Sequence, residues 1–137
     1  MAQPFPSEAW LNDFETLLNS DEQYAEIAKN WEGDFMFAIE PDKGSQDENM
    51  YYYMDLWHGK CRSAKTLTQE EAKHAKPAFI LRATRSEFIN VLTGKLDPMQ
   101  AMLTRRLRLE GSMTYVLRNV PTVFDFVRCA SSVGIVE

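Results

Sequence analysis

The sequence predicts an α+β fold, a single five-stranded and mostly antiparallel sheet covered by helices. Three observations carry this. Apolar residues recur at helical spacing from 7 to 31. Four β-prone runs, separated by breaker-rich segments, then occupy 34 to 84. Helical spacing returns after 85, interrupted by one short alternating stretch, "RLRLEG", at 106–111. There are no repeats, low-complexity tracts or linkers, so residues 1–137 are expected to form a single domain. Its N-terminal helices lie at about 7–31, its sheet and crossover at about 34–111, and its C-terminal helical segment at about 112–130.

Each element has a local cause. Ser7 can cap the first helix with Glu8 in its first turn, where a carboxylate suits the helix dipole. Trp10, Phe14 and Leu17, with Leu11 and Leu18, form its apolar stripe. Ser20 and Gln23 have capping-box spacing for a second helix, with Tyr24, Ile27, Ala28 and Trp31 as its apolar face and Gly33 as its stop. "DFMFAIE" at 34–40 is apolar on both faces, as a fully buried strand would be. After the loop "PDKGSQDEN", "MYYYMDLW" at 50–57 is strongly β-prone, and His58-Gly59 turns the chain into a third strand, "KCRSAKTL". Thr68 and Glu71 have capping-box spacing for one helical turn before Pro77, and "AFILRAT" at 78–84 is a fourth strand. The expected order is a meander of four strands, then a helical crossover to the fifth.

In the crossover, Ser86 caps a short helix with Phe88, Ile89 and Leu92 on its face, and Gly94 ends it. Asp97 caps the next helix, and Pro98 takes its first position, where the missing N–H costs nothing. Met99, Met102 and Leu103 are its apolar side chains. Ser112 opens a further helix carrying Met113, Val116, Leu117 and Val120. Pro121 interrupts it before a last apolar helical segment, "TVFDFVRCA".

Charge and composition narrow the function classes. Residues 1–57 hold thirteen acids and two bases, whereas 58–137 hold thirteen bases and seven acids, so an acidic and a basic side are expected. The bases are scattered and no recognition motif accompanies them, which argues against a nucleic-acid partner. No apolar run approaches the ~18 residues of a membrane span, and no secretory signal or peroxisomal address is visible, so a cytoplasmic location is expected. Cys61 and Cys129 match no metal or redox spacing and read as small buried hydrophobes. Asp55, His58 and Cys61 could be imagined as a catalytic set. Odd spacing on an extended chain points Asp55 and His58 to opposite faces, however, and no HExxH, GxSxG or phosphate-binding loop is present. An enzyme is not expected.

One stretch is more specific. "RSEFINVLTGKLDPMQAMLTRRLRLEGSMTYVL", residues 85–117, resembles the core of the sterol carrier protein type 2 family: an apolar helix, Gly-Lys-Leu-Asp-Pro, an Ala-containing apolar helix, a basic alternating strand ending in Gly, and another apolar helix. The matching positions are Phe88, Leu92, Gly94, Lys95, Leu96, Asp97, Pro98, Ala101, Met102, Leu107, Leu109, Gly111 and Met113. Thr104-Arg105-Arg106-Leu107 stands where the family often has Gly-Lys-Leu-Lys, and Ser112 where Asp or Asn is common.

The resemblance implies non-catalytic binding or transfer of a lipid-like molecule in an apolar tunnel between sheet and helices, with no cofactor and no metal. A sterol, fatty acid, acyl-CoA or phospholipid would each suit it. A sixteen-carbon chain gains about 12 kcal/mol gross on leaving water, before association costs. The expected lining is Phe88, Leu92, Met99, Met102, Leu103, Met113, Val116, Leu117, Val120 and Phe124, each equally readable as plain core. Lys95, Arg105, Arg106 and Arg108 are candidates for an anionic headgroup or membrane surface; a solvated strand face, with Glu110 pairing Arg108, is the simpler reading. The alternative is a homodimeric interaction module with a filled cavity, using Tyr51, Tyr53 and Trp57 on one strand face.

Overall fold

The computed structural model describes residues 2–136, and its first elements follow the sequence closely. A two-residue strand, β1 (Gln3–Pro4), leads into α1 (Glu8–Ser20). The Ser7 hydroxyl caps α1, accepting from the Trp10 amide at 3.1 Å, and Trp10, Leu11, Phe14 and Leu18 form the buried face. α2 (Glu22–Ile27) follows after one residue. Its cap is Asp21 rather than the expected Ser20. The Asp21 carboxylate accepts from the Tyr24 amide at 2.8 Å, while the Ser20 hydroxyl donates back to the Leu17 carbonyl and finishes α1. Turn residues follow Ile27, so α2 stops short of 31.

β2 (Phe35–Glu40), β3 (Met50–Trp57) and β4 (Lys60–Leu67) make two antiparallel hairpins in sequence order. α3 (Gln69–His74) carries the full Thr68–Glu71 capping box. β5 (Phe79–Thr84) then departs from the expected meander. The sheet order is β4-β3-β2-β5 followed by the short fifth strand, so β5 crosses the sheet and pairs parallel with β2. The physical cause is visible where β2 and β5 begin. The Asp34 carboxylate accepts from the Ala78 amide at 2.7 Å, and the Asp34 carbonyl accepts from the Phe79 amide at 3.1 Å. With β5 on its free side, β2 is central, and its apolarity on both faces is explained: Met36 and Ala38 are buried on one face and Ile39 on the other.

α4 (Arg85–Leu92) continues directly from β5. Thr84 caps it by accepting from the Glu87 amide, in place of the expected Ser86, whose amide and hydroxyl both donate to Asp42. α5 (Pro98–Leu103) begins as expected, with the Asp97 carboxylate accepting from the Met99 and Gln100 amides. β6 (Arg108–Glu110) is only three residues long and pairs antiparallel with β5. α6 (Met113–Arg118) is capped by Ser112, and α7 (Val120–Val133) follows. The break between them falls at Asn119, not at Pro121. Proline fits the first turn of a helix, so Pro121 starts α7 instead of ending α6, and α7 runs three residues beyond the expected 130. β7 (Ile135–Val136) pairs parallel with β1. No periodicity announces so short a ladder.

The helices lie against one face of the five-stranded sheet. α1 packs on β4, and α7 packs across α1, α2 and α4. Gly111 sits where β6 leaves the sheet, with φ +124°, and a Cβ there would lie 2.6 Å from the Ala78 carbonyl oxygen and 2.7 Å from the Phe79 ring. Both the conformation and the space demand glycine. Gly111→Ala should therefore lower unfolding free energy by about 2–4 kcal/mol, read from urea denaturation.

Candidate functional site

Between the covered sheet face and its helices lies an apolar cavity of about 110 Å³. The period of two along the strands supplies its floor: Phe35, Phe37 and Ile39 from β2, Tyr52, Met54 and Leu56 from β3, Leu81 from β5 and Leu109 from β6. The helical roof supplies Trp10 and Phe14 from α1, Tyr24 from α2, Phe88, Val91 and Leu92 from α4, Pro98 and Met102 from α5, and Val116 from α6. α7 adds Thr122, Val123, Phe126, Val127 and Ala130. None of the lining side chains is charged.

Three polar groups of the wall are spent on the protein itself. The Tyr52 hydroxyl accepts from the Ser7 amide and donates to the Ser7 carbonyl, both at 2.7 Å. The Trp31 indole donates to the Gly33 carbonyl at 2.9 Å, and the Thr122 hydroxyl donates to the Ile27 carbonyl at 3.3 Å. Burial pushes the Tyr52 phenol up, so it stays neutral. The wall is also graded. Trp10, Phe14, Tyr24, Tyr52, Met54 and Leu56 are buried, whereas Phe35, Phe37, Leu81, Leu92, Leu109, Val123 and Val127 are only half-buried.

Of the side chains expected from the sequence, Phe88, Leu92, Met102 and Val116 line this cavity. Met99 and Met113 pack against the core from outside it, and Val120 is half-buried away from the lining. Leu103, Leu117 and Phe124 point outward, 59%, 50% and 42% exposed. Leu103 ends a helix of six residues, and the break at Asn119 rotates α6 against α7, so one continuous helical face from 113 to 124 never forms. Sequence reasoning missed the aromatic half of the wall. Trp10, Phe14, Phe35 and Phe37 were legible as apolar stripes, but helical and strand periods identify a buried face without distinguishing a cavity wall from core.

The basic candidates divide. Arg106 bonds Glu87 at 2.8 Å and Arg108 pairs with Glu40 across the sheet. Glu110 therefore pairs with Arg82, at 2.8 Å, and not with Arg108. Lys95 and Arg105 are exposed and make no ion pair among the described residues. Asp55, His58 and Cys61 do not converge: Asp55 holds Arg62, His58 meets Glu32 at 2.6 Å, and the Cys61 amide donates to Asn19. On the other sheet face, Tyr53 donates to Asp34 and Lys65 lies over its ring, while Arg62 lies over Trp57.

A polar clasp joins the roof helices. Arg128 on α7 bonds Asp21 at 2.7 Å and Asp125 at 2.8 Å, and Gln23 on α2 donates to Asp125 at 2.7 Å. Asp21, Asp125 and the buried Cys129 lie close enough to suggest metal ligands, but Arg128 already occupies both carboxylates. Burial pushes the Cys129 thiol up to about 11 and the Cys61 thiol up to about 12, so both remain protonated. The Arg128 hydrogen bond holds the Asp21 carboxyl below its ordinary value. Its contribution to stability is complete above the unfolded value, near pH 4, and is lost as pH falls through the depressed folded value. Arg128→Met should cost about 3 kcal/mol at pH 7, because Asp125 is left buried without its counter-charge, and should flatten the acid limb below pH 4. Urea titrations from pH 2.5 to 7 check both.

The sequence model of the SCP-2 sterol transfer family matches residues 11–123. The chain belongs to that family. It is 30% identical to a sterol carrier protein 2 of known crystal structure, over 91% of this chain and 95% of that one, with a TM-score of 0.81. It is also 30% identical to the conserved hypothetical protein TT1886, possibly a sterol carrier protein, from Thermus thermophilus, over 95% and 90% of the two chains, with a TM-score of 0.82. The Aedes aegypti sterol carrier protein-2 complex with palmitate shares the fold at 14% identity, over 88% and 96%, with a TM-score of 0.53. No curated protein sequence matches the chain significantly. Among the described residues, no helix is long and apolar enough to cross a membrane.

Proposed function

We propose that this protein binds and carries a lipid-like molecule in the cavity under its helices, without transforming it. The observation that carries the reading is the wall itself: apolar, aromatic and without a charged side chain, in a chain of the SCP-2 sterol transfer family. Such a wall offers burial free energy to hydrocarbon and no acid, base or nucleophile for chemistry. The palmitate complex of the Aedes aegypti relative supports a fatty-acyl ligand as one suitable occupant.

Size constrains the mechanism. A cavity of 110 Å³ is smaller than an engineered apolar cavity of ~150 Å³ that holds one benzene, and a long lipid chain is several times larger than benzene. To hold a long chain along its whole length, the cavity has to widen between roof and floor. The half-buried residues of β5, β6 and α7 mark the part of the wall that can give, while the Arg128 clasp ties α7 to the N-terminus of α2. Native mass spectrometry of purified protein, followed by solvent extraction, should reveal a stoichiometric lipid. Val127→Trp, which fills the cavity from α7, should weaken binding of a fluorescent fatty acid at least tenfold while leaving the far-ultraviolet circular dichroism unchanged. Unchanged affinity would place the ligand elsewhere.

Any contact with an anionic membrane surface falls in this reading to Lys95 and Arg105, because Arg106 and Arg108 are held by Glu87 and Glu40. Reversing Lys95 and Arg105 to Glu together should reduce sedimentation with phosphatidylserine vesicles at low salt by roughly tenfold or more, at about 1 kcal/mol per basic residue. Equal binding by wild type and variant removes this surface. The aromatic strand face of Tyr53 and Trp57 is covered by the cations of Lys65 and Arg62, which favours a solvated face over a dimer contact.

A further inference from the structure

The polar clasp between α2 and α7 lies along a seam of the cavity wall. Tyr24 of α2 and Phe126 of α7 both line the cavity, and their rings meet with centroids 6.3 Å apart. The residue before each ring belongs to the clasp, Gln23 donating to Asp125 at 2.7 Å. Arg128 joins Asp125 to Asp21, and the Thr122 hydroxyl reaches the Ile27 carbonyl at 3.3 Å, so polar bonds run the length of α2. None of Asp21, Gln23, Asp125 or Arg128 lines the cavity itself.

The two helices are otherwise held unequally. α2 has six residues and one buried side chain, Tyr24. α7 contributes five side chains to the wall and is bounded by a break at each end: Asn119, which caps it without a side-chain bond, and Gly134, at φ +83°. Element ends of this kind absorb the backbone change when a helix moves as a unit. Toward α1 the packing of α7 is apolar, with Phe14 edge-on to Phe126 at 5.0 Å. Water can replace the bonds of the clasp but not apolar packing. Gln23 is exposed and the Arg128 side chain is 40% exposed, so water reaches the clasp as soon as it loosens. The wall parts most easily along this seam.

We propose that the clasp is a latch, which holds α7 to α2 over the cavity and sets how fast lipid enters and leaves without setting its affinity. The inference rests on the cavity being the lipid site and adds how access to that site is controlled. The four clasp residues stand outside the cavity, so the same bonds form in the closed protein whether it is empty or loaded. Their contribution therefore cancels from the binding equilibrium. It does not cancel from the open state, in which they are broken. Weakening the clasp raises the open fraction alike with and without lipid, and entry and exit accelerate together.

Stopped-flow fluorescence with cis-parinaric acid, a fluorescent fatty acid, tests this on wild type and Gln23→Leu. That change removes one bond from an exposed position and leaves Asp125 paired with Arg128. Association and dissociation rate constants should both rise about fivefold, the size of one net hydrogen bond, while Kd changes by less than about twofold. Arg128→Met, checked for folding by circular dichroism, should raise both further. Gly111→Ala, which destabilises the fold away from the seam, should leave both rates at their wild-type values. Unchanged rates in Gln23→Leu overturn the latch, as does a rise in dissociation alone. Equal acceleration by Gly111→Ala also overturns it, because general loosening would then suffice. If wild type does not bind the probe, the lipid-carrier reading itself falls and takes the latch with it.

Discussion

Where β2 begins, the Asp34 carboxylate accepts from the Ala78 amide at 2.7 Å and from the Tyr53 hydroxyl at 2.8 Å, while the Asp34 carbonyl takes the Phe79 amide. One residue thereby ties the starts of β2 and β5 to the middle of β3. Partial burial and the bond to Asp34 push the Tyr53 phenol up to about 12, so it remains a donor throughout the physiological range. The parallel pairing of β5 with β2 starts from this point, and the site depends on that pairing. Had β5 continued the meander beside β4, Leu81 could not lie opposite Phe37, and β6 would have no edge to join beyond it. The broad apolar floor of Phe35, Phe37, Leu81 and Leu109 is a product of the crossover, not of any one strand.

The roof does not match that floor evenly. α1, thirteen residues long, seals the β3–β4 side, and α7, fourteen residues long, crosses over α1. Leu11 and Leu18 are fully buried there, and Asn19 clamps the Cys61 backbone through both its amide oxygen and its nitrogen. Over β5 and β6 the cover is α4, α5 and α6, of eight, six and six residues, separated by turns. Short helices with independent caps cannot present one continuous apolar face, and the floor beneath them stays half-buried. The cavity wall is thus buried where α1 covers β3 and only half-buried where short helices cover β5 and β6.

Much of the architecture was legible because it is written in local chemistry. Asp97-Pro98 starts α5 where the side chain and the ring say it should, and the Thr68–Glu71 box forms in full. The errors have equally local causes. Asp21 displaces Ser20 as a cap because its carboxylate serves Tyr24 and Arg128 together, residues far apart in the chain. Pro121 reads as a breaker until Asn119 is seen to break the helix first. Strand order was not legible, since a period of two assigns faces and says nothing about neighbours. The candidate site was read from its family-like segment, which supplied Phe88, Leu92, Met102 and Val116 but could not supply the α1 and β2 aromatics that meet them from far away along the chain.

A packed core and a ligand cavity use the same residue types, so the distinction has to come from what the packing leaves undone. Two shortfalls coincide in the α5–α7 half of this molecule. Leu103, Leu117 and Phe124 stay 42–59% exposed, forgoing part of the ~1.5–3 kcal/mol that burying each would contribute. The cavity beneath those helices stays apolar and incompletely filled. A chain selected only for stability has an obvious remedy, because larger side chains on the floor or a tighter roof would close the space. A chain that must admit and release an apolar molecule cannot take it. Its roof needs enough burial to stay folded, and little enough that an incoming hydrocarbon, worth about 0.8 kcal/mol per methylene, can replace the contacts it breaks. The polar clasp at Arg128 is compatible with that requirement, since an ion pair fixes where α7 meets α2 without filling the space that α7 covers.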